Sequence, residues 1–223
     1  MFIPKVVTFS GLDGAGKSTL IDSFKRSLES EGHSVTILTM YDDLSFYSLL
    51  RLIRDNIRKV FGKNNDYKNE KAEDPNFDFH KDSKFYRVIR SKALKVIVLP
   101  LDTLCIYLYL VLRISRKEVV LLDRTSYDYI LDFLPENYTN FYISASLLFS
   151  FRPSLSVFVD TPAQVSFDRK GEFTVEYLSW RSVAYNDVFN MLKEVIILDN
   201  YNNSVTYNAD LLVSKFRALE NNI

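Results

Sequence analysis

The run Gly11-Leu12-Asp13-Gly14-Ala15-Gly16-Lys17-Ser18-Thr19 places three glycines, a lysine and two hydroxyls in the spacing G-x-x-x-x-G-K-[ST]. Glycine at 11, 14 and 16 allows backbone that a Cβ would block, so successive N–H groups can turn inward around an anion. A helix beginning at Lys17 would aim its unsatisfied N–H groups and positive dipole end at the same point. Lys17, expected to project from the loop into solvent, would reach the β- and γ-phosphates of a nucleotide, and the Ser18 hydroxyl would hold the Mg²⁺ that bridges them. Thr19 is the second hydroxyl, assigned to the α-phosphate. Gly11, Gly14, Ala15, Gly16, Lys17, Ser18 and Thr19 are therefore the candidate nucleotide contacts.

A second stretch able to do chemistry is Val119-Val120-Leu121-Leu122-Asp123-Arg124-Thr125-Ser126-Tyr127-Asp128. An apolar strand ending in Asp-Arg sets an acid and a cation at the carboxyl edge of a parallel sheet, where such sheets bind ligands. Asp123 could hold Mg²⁺ directly or through water, and Arg124 could clamp an acceptor phosphate with two parallel hydrogen bonds. The alternative is a salt bridge that caps a strand. Asp160, at the end of a later strand, is read as a helix cap in preference to a second metal or water contact. Arg169 and Lys170, placed just after a helix begins and beside Gly171, form a cationic pair able to swing over bound phosphates. Arg181 is the weaker candidate, since its place beside Trp180 and Tyr185 suits a structural ion pair as well.

These residues need a scaffold, and hydrophobic periodicity supplies one. Residues 5–10 read as a buried strand, and 17–30 as a helix with Leu20, Ile21, Phe24 and Leu28 on one face. Residues 34–39 read as a second buried strand, ending at Tyr41, Asp42 and Asp43. An amphipathic helix is expected over 44–61, a polar excursion over 62–82 that is mobile or functional, and a helix over 83–99 with Arg87 and Arg90 on its solvated face. Pro100 should break or kink that pattern before a core helix over 101–115. Further strands are expected at 119–123, 156–160 and 195–199, with helices after Pro162, over 175–194 and over 205–219. Parallel strands alternating with helices make an α/β fold in a single domain spanning 1–223.

Composition bounds the remaining classes. Twenty-eight basic and 28 acidic residues cancel, so no global field recruits nucleic acid or an anionic membrane. The stretch 96–112 is strongly apolar but is interrupted by Pro100 and Asp102, and its unbroken part is far shorter than the ~20 residues of a membrane span. Cys105 is the single cysteine and, between Leu104 and Ile106, is read as a buried inert thiol. With no signal-peptide pattern ahead of the first strand, the expected compartment is the cytoplasm.

The loop 11–19 after a short strand, Leu122-Asp123-Arg124 ahead of a Tyr/Asp-rich turn, and Pro153-Ser154-Leu155-Ser156-Val157-Phe158-Val159-Asp160-Thr161-Pro162 followed by Arg169 together resemble the thymidylate kinase family of nucleoside monophosphate kinases. That resemblance spans most of the chain. It implies a P-loop three-layer fold with a five-stranded parallel sheet of order 2-3-1-4-5, the use of ATP and Mg²⁺, and a role in nucleotide metabolism. It also implies that Asp13 faces the acceptor sugar or the metal, that Arg124 binds the acceptor phosphate, and that Arg169 and Lys170 belong to a mobile lid, at about 168–182, over the ATP. Gly14 stands where some members carry an arginine, so Arg169 would supply the missing cation. Thr125 and Asp128 replace residues usual in the family, and neither an aromatic nor an arginine stands at Leu99 and Thr103, where the family reads thymine. The acceptor is therefore left open, with dTMP first. A deoxynucleoside kinase or other small-molecule kinase, and a non-catalytic nucleotide switch or scaffold, are the alternatives. The partner is a small-molecule acceptor; a homodimer is left open.

Overall fold

A computed structural model describes residues 5–39, 92–114, 118–132, 134 and 137–221. In chain order these form β1 (Lys5–Gly11), α1 (Lys17–Ser30), β2 (Ser34–Thr39), α2 (Lys92–Arg113), β3 (Glu118–Asp123), α3 (Ser126–Leu131), α4 (Asn140–Leu148), β4 (Leu155–Asp160), α5 (Ala163–Lys170), α6 (Val175–Asn190), β5 (Val195–Asp199) and α7 (Val205–Asn221). The strands make one five-stranded sheet, all parallel, in the order β2-β3-β1-β4-β5. The reading of Tyr41, Asp42 and Asp43, the helix over 44–61, the excursion over 62–82, and Arg87 and Arg90 lie outside the described residues.

The central strands are apolar because both of their faces are covered. Along β1, Val7 and Phe9 join one core cluster, while Val6 joins a second with Leu38, Val120 and Leu122 and with Ile106 and Leu110 of α2. Helix α1 buries Leu20, Ile21, Phe24 and Leu28, as its spacing requires, and Phe24 meets Phe9 below and Phe216 of α7 in an edge contact at 6.2 Å. Phe158 of β4 stacks on Tyr185 and Phe189 of α6 at 5.3 and 5.1 Å. Register sets the functional edge. Asp123 lies opposite Phe9, Gly11 opposite Val159, and Asp160 opposite Asp199, so the carboxyl ends of β3, β1, β4 and β5 open onto one rim.

Several elements depart from the sequence reading. Pro100 does not end a helix: α2 runs through it without interruption, because a proline removes one ladder donor and crowds one turn, while the neighbouring bonds and the buried Leu99, Ile106 and Leu110 hold the axis. The same helix is not wholly a core helix, since Leu104, Leu108, Val111 and Leu112 are exposed. Among the described residues no helix is long and apolar enough to cross a membrane. Strand β2 is only part-buried, with Leu38 alone in the core, because it ends the sheet order. Helix α6 stops at Asn190, four residues before the expected end, and α3 and α4 form where no helix was expected. A short helix such as α3 carries too few turns to show a period, and it depends on its cap.

Candidate active site

The loop between β1 and α1 is held by contacts that only glycine permits. Gly14 has φ 87° and backs directly onto the Ser166 carbonyl of α5, and Gly16 has φ 88° with Asn200 2.6 Å from where a Cβ would stand. Ala15 is fully buried, and its N–H closes a turn onto the Leu12 carbonyl at 3.1 Å. Ser18 and Thr19 are exposed on the first turn of α1.

Lys17 does not project into solvent. It is 7% exposed, and its Nζ donates to the Gly11 carbonyl at 2.9 Å and to the Leu12 carbonyl at 2.7 Å. The loop curls so that its own carbonyls lie within the lysine's reach, and they satisfy the buried ammonium in place of water. Burial, and then the Arg124 charge, lower the Lys17 pKa, while Asp128, Asp13 and Asp123 oppose the shift. Lys17 is thus a cation compressed among groups that partly disfavour its charge, a state that an incoming anion would relieve.

Asp123 and Arg124 stand where β3 ends. Burial raises the Asp123 pKa, with Lys17 and Arg124 pulling it back, and its Oδ1 is buried without a hydrogen-bond partner. Arg124 has φ 65°, rare for a residue with a side chain, and its N–H donates to the Phe9 carbonyl at 2.9 Å. Its guanidinium donates to Asp13, and Lys170 Nζ lies 3.8 Å from the same carboxylate oxygen. Asp13 is therefore flanked by two cations.

Arg169 and Lys170 occupy the last turn of α5, not a point just after its start, because α5 begins at Ala163 and Gly171, at φ 65°, ends it. From there Arg169 Nη1 donates to the Gly14 carbonyl at 3.3 Å. The expected lid segment comprises the end of α5, a short connection and the first half of α6. Asp160 is not the helix cap, since Pro162 holds the N-cap position of α5. The Asp160 carboxyl is instead raised by burial and by Asp199. Arg181 is a structural cation: 7% exposed, it donates to Asp132 at 2.7 Å and to the Tyr177 hydroxyl at 2.9 Å. Cys105 is half-buried rather than buried, and burial and Asp102 push its thiol pKa up, away from a reactive thiolate.

Two groups of residues have roles that the sequence reading did not assign. Asp128, fully buried, accepts from Ser10 Oγ at 2.7 Å, from the Thr125 N–H at 2.9 Å and from the Tyr185 hydroxyl at 2.5 Å, while Thr125 caps α3 in a reciprocal capping box. The T-S-Y-D spacing was the available signal. The second group is Asn200 and Asn208, behind the glycine loop, which only a polar residue after an apolar strand could have hinted at.

The arrangement brings a glycine loop, a buried ammonium, a carboxylate with an orphaned oxygen and an arginine to one rim. It can hold a polyanion and a divalent cation and can neutralise charge between two phosphates. A scan against protein-family models gives no match, and a search of curated proteins finds no relative.

Proposed function

We propose that this chain is a P-loop phosphotransferase that moves the γ-phosphoryl group of ATP to a nucleoside monophosphate, with dTMP the first candidate acceptor. The observation that carries this reading is the convergence of Lys17, Asp123 and Arg124 around the glycine loop, at the carboxyl edge of a parallel sheet.

The residues fit a magnesium ion. Asp123 Oδ1 is a buried acceptor lacking a partner, and Ser18 offers an exposed hydroxyl on the first turn of α1. Among the described residues no three His, Cys, Asp or Glu side chains cluster, so Asp123 and Ser18 would be the protein ligands and phosphate and water would have to supply the rest. When bound there, Mg²⁺ would draw charge from the β- and γ-phosphates. Lys17 has three N–H donors, of which Gly11 and Leu12 take two, so the third can meet a phosphate oxygen without loss of the others. Loop N–H groups and the α1 N-terminus bind the phosphate tail. Arg169, whose Nη1 contacts the Gly14 carbonyl of the loop, would neutralise charge developing between donor and acceptor.

Asp13 supports a phosphorylated acceptor over a bare hydroxyl. An alcohol needs a base to take its proton, whereas a phosphate oxygen is already ionised at neutral pH. One oxygen of the Asp13 carboxylate is already engaged by Arg124 and Lys170 rather than free to meet a hydroxyl, while Arg124 offers a planar fork for an acceptor phosphate. The test is incubation with ATP, Mg²⁺ and a panel of nucleosides, nucleoside monophosphates and sugars, following which compound gains phosphate. Transfer to a nucleoside monophosphate supports the reading. Transfer only to unphosphorylated compounds, or tight ATP binding without transfer, overturns it.

A further inference from the structure

We infer that Asn200, just past the carboxyl end of β5, is a positioning residue whose side-chain amide turns the Gly16 N–H toward the phosphate tail of the donor. The inference rests on the nucleotide-binding reading above and assigns to it a pair of residues, Asn200 and Asn208, outside the glycine motif.

Asn200 Nδ2 donates to the Ala15 carbonyl at 2.7 Å. Thr161 Oγ1 also faces that carbonyl, at 3.3 Å, but its one proton has a shorter acceptor in the Asp160 carbonyl at 2.8 Å, so Asn200 is the principal donor. In a trans peptide the C=O and the following N–H point in opposite directions. Drawing the Ala15 carbonyl back toward β5 therefore turns the Gly16 N–H to the other side, the concave side of the loop. The approach is close enough that a Cβ on Gly16 would stand 2.6 Å from Asn200 Nδ2, which gives the glycine a second reason beyond its φ of 88°.

The amide is itself oriented. Asn208 Nδ2 donates to Asn200 Oδ1 at 3.2 Å, which fixes the end of the carboxamide that faces Ala15, and it also donates to the Asp199 carbonyl at 3.0 Å. The Asn200 N–H donates to the Asp160 carbonyl at 2.9 Å, tying the residue to the end of β4. Asn208 is fully buried, and its Oδ1 has no partner, a cost that an apolar side chain at this place in α7 would avoid. The relay Asn208 to Asn200 to Ala15 thus holds one peptide plane in one orientation.

A role in orienting the N–H differs from a contact with the nucleoside, and inorganic tripolyphosphate separates them because it carries the tail alone. Calorimetric titration of the wild-type chain, Asn200→Ala and Asn208→Ala with tripolyphosphate and with ATP is the experiment, with thermal melts to confirm folding. Both variants are expected to lose about tenfold or more in affinity for tripolyphosphate and for ATP alike, the scale of one charge-assisted hydrogen bond. The ratio of the two affinities should stay at its wild-type value. If ATP weakens and tripolyphosphate does not, Asn200 touches the nucleoside and the assignment is wrong. Wild-type affinities in both variants also overturn it. Should Asn200→Ala not fold, Asn208→Ala carries the test, since it leaves the loop contact in place and releases only its orientation. A wild-type chain that binds no tripolyphosphate would remove the nucleotide-binding reading itself, an outcome distinct from unchanged binding in the variants.

Discussion

The Arg124 guanidinium rests on the Asp13 carboxylate, joining the end of β3 to the glycine loop across 111 positions of sequence. The pair sits on a residue in left-handed backbone, and the Phe9 carbonyl fixes that residue's N–H. An acceptor phosphate would have to replace or share the Asp13 contact. Arg124→Lys is therefore expected to raise the acceptor KM by at least about tenfold, because a lysine has no planar fork, while ATP affinity holds. Steady-state kinetics with the acceptor varied at saturating ATP checks this. An unchanged KM for a phosphorylated acceptor would remove Arg124 from that role.

Lys17 should affect both activity and the pH dependence of stability. Lys17→Met is expected to abolish phosphoryl transfer by orders of magnitude, since Lys17 would neutralise the transferring charge, and to remove a pH-dependent part of the stability. The sign follows from its lowered pKa: the unfolded chain binds this proton more tightly than the folded one, so the charged ammonium costs stability at neutral pH. For the same reason this group's contribution to stability improves as pH rises toward the ordinary lysine value of 10.5. Thermal melts of both proteins at pH 7 and pH 9.5 check this: the wild-type Tm should gain on that of the variant at the higher pH. A variant that gains on the wild-type chain instead would contradict this account.

The buried Asp128 cluster should govern stability rather than turnover chemistry. Tyr185→Phe removes one of three donors to the carboxylate and is expected to cost about 1–2 kcal/mol. Asp128→Ala strands Ser10, Thr125 and Tyr185 and uncaps α3, so its cost should be about 3 kcal/mol or more. Urea denaturation measures both, and a cost for Asp128→Ala below that of Tyr185→Phe would contradict the assigned network.

Arg169 is expected to act in the closed, reacting complex. Arg169→Ala should lower kcat by about a hundredfold or more with little change in ATP Kd, the signature of a charge used most strongly in the transition state. The Gly14 contact, at 3.3 Å and exposed, is too weak to make the arginine a structural requirement. If the variant keeps its kcat, the end of α5 is only a connection.

The sequence alone determined the strands, the helices α1 and α7, and the place of the glycine loop between β1 and α1. Those features are local: β-branched runs, a helical period in Leu20, Phe24 and Leu28, and glycines at fixed intervals each express their preference without a partner. Asp123 and Arg124 were legible because a strand end is a local event and parallel topology puts strand ends together. Tertiary structure decided what these side chains do when they meet. Lys17 turned inward because the folded loop brings the Gly11 and Leu12 carbonyls within its reach, and Asp13 acquired two cations from the end of β3 and the last turn of α5. Pro100 stayed in a helix because core contacts on either side outweigh one lost donor. Asn200 reached Ala15 across 185 positions, a pairing that no periodicity or spacing encodes, since it exists only after β4 and β5 have taken their places beside β1.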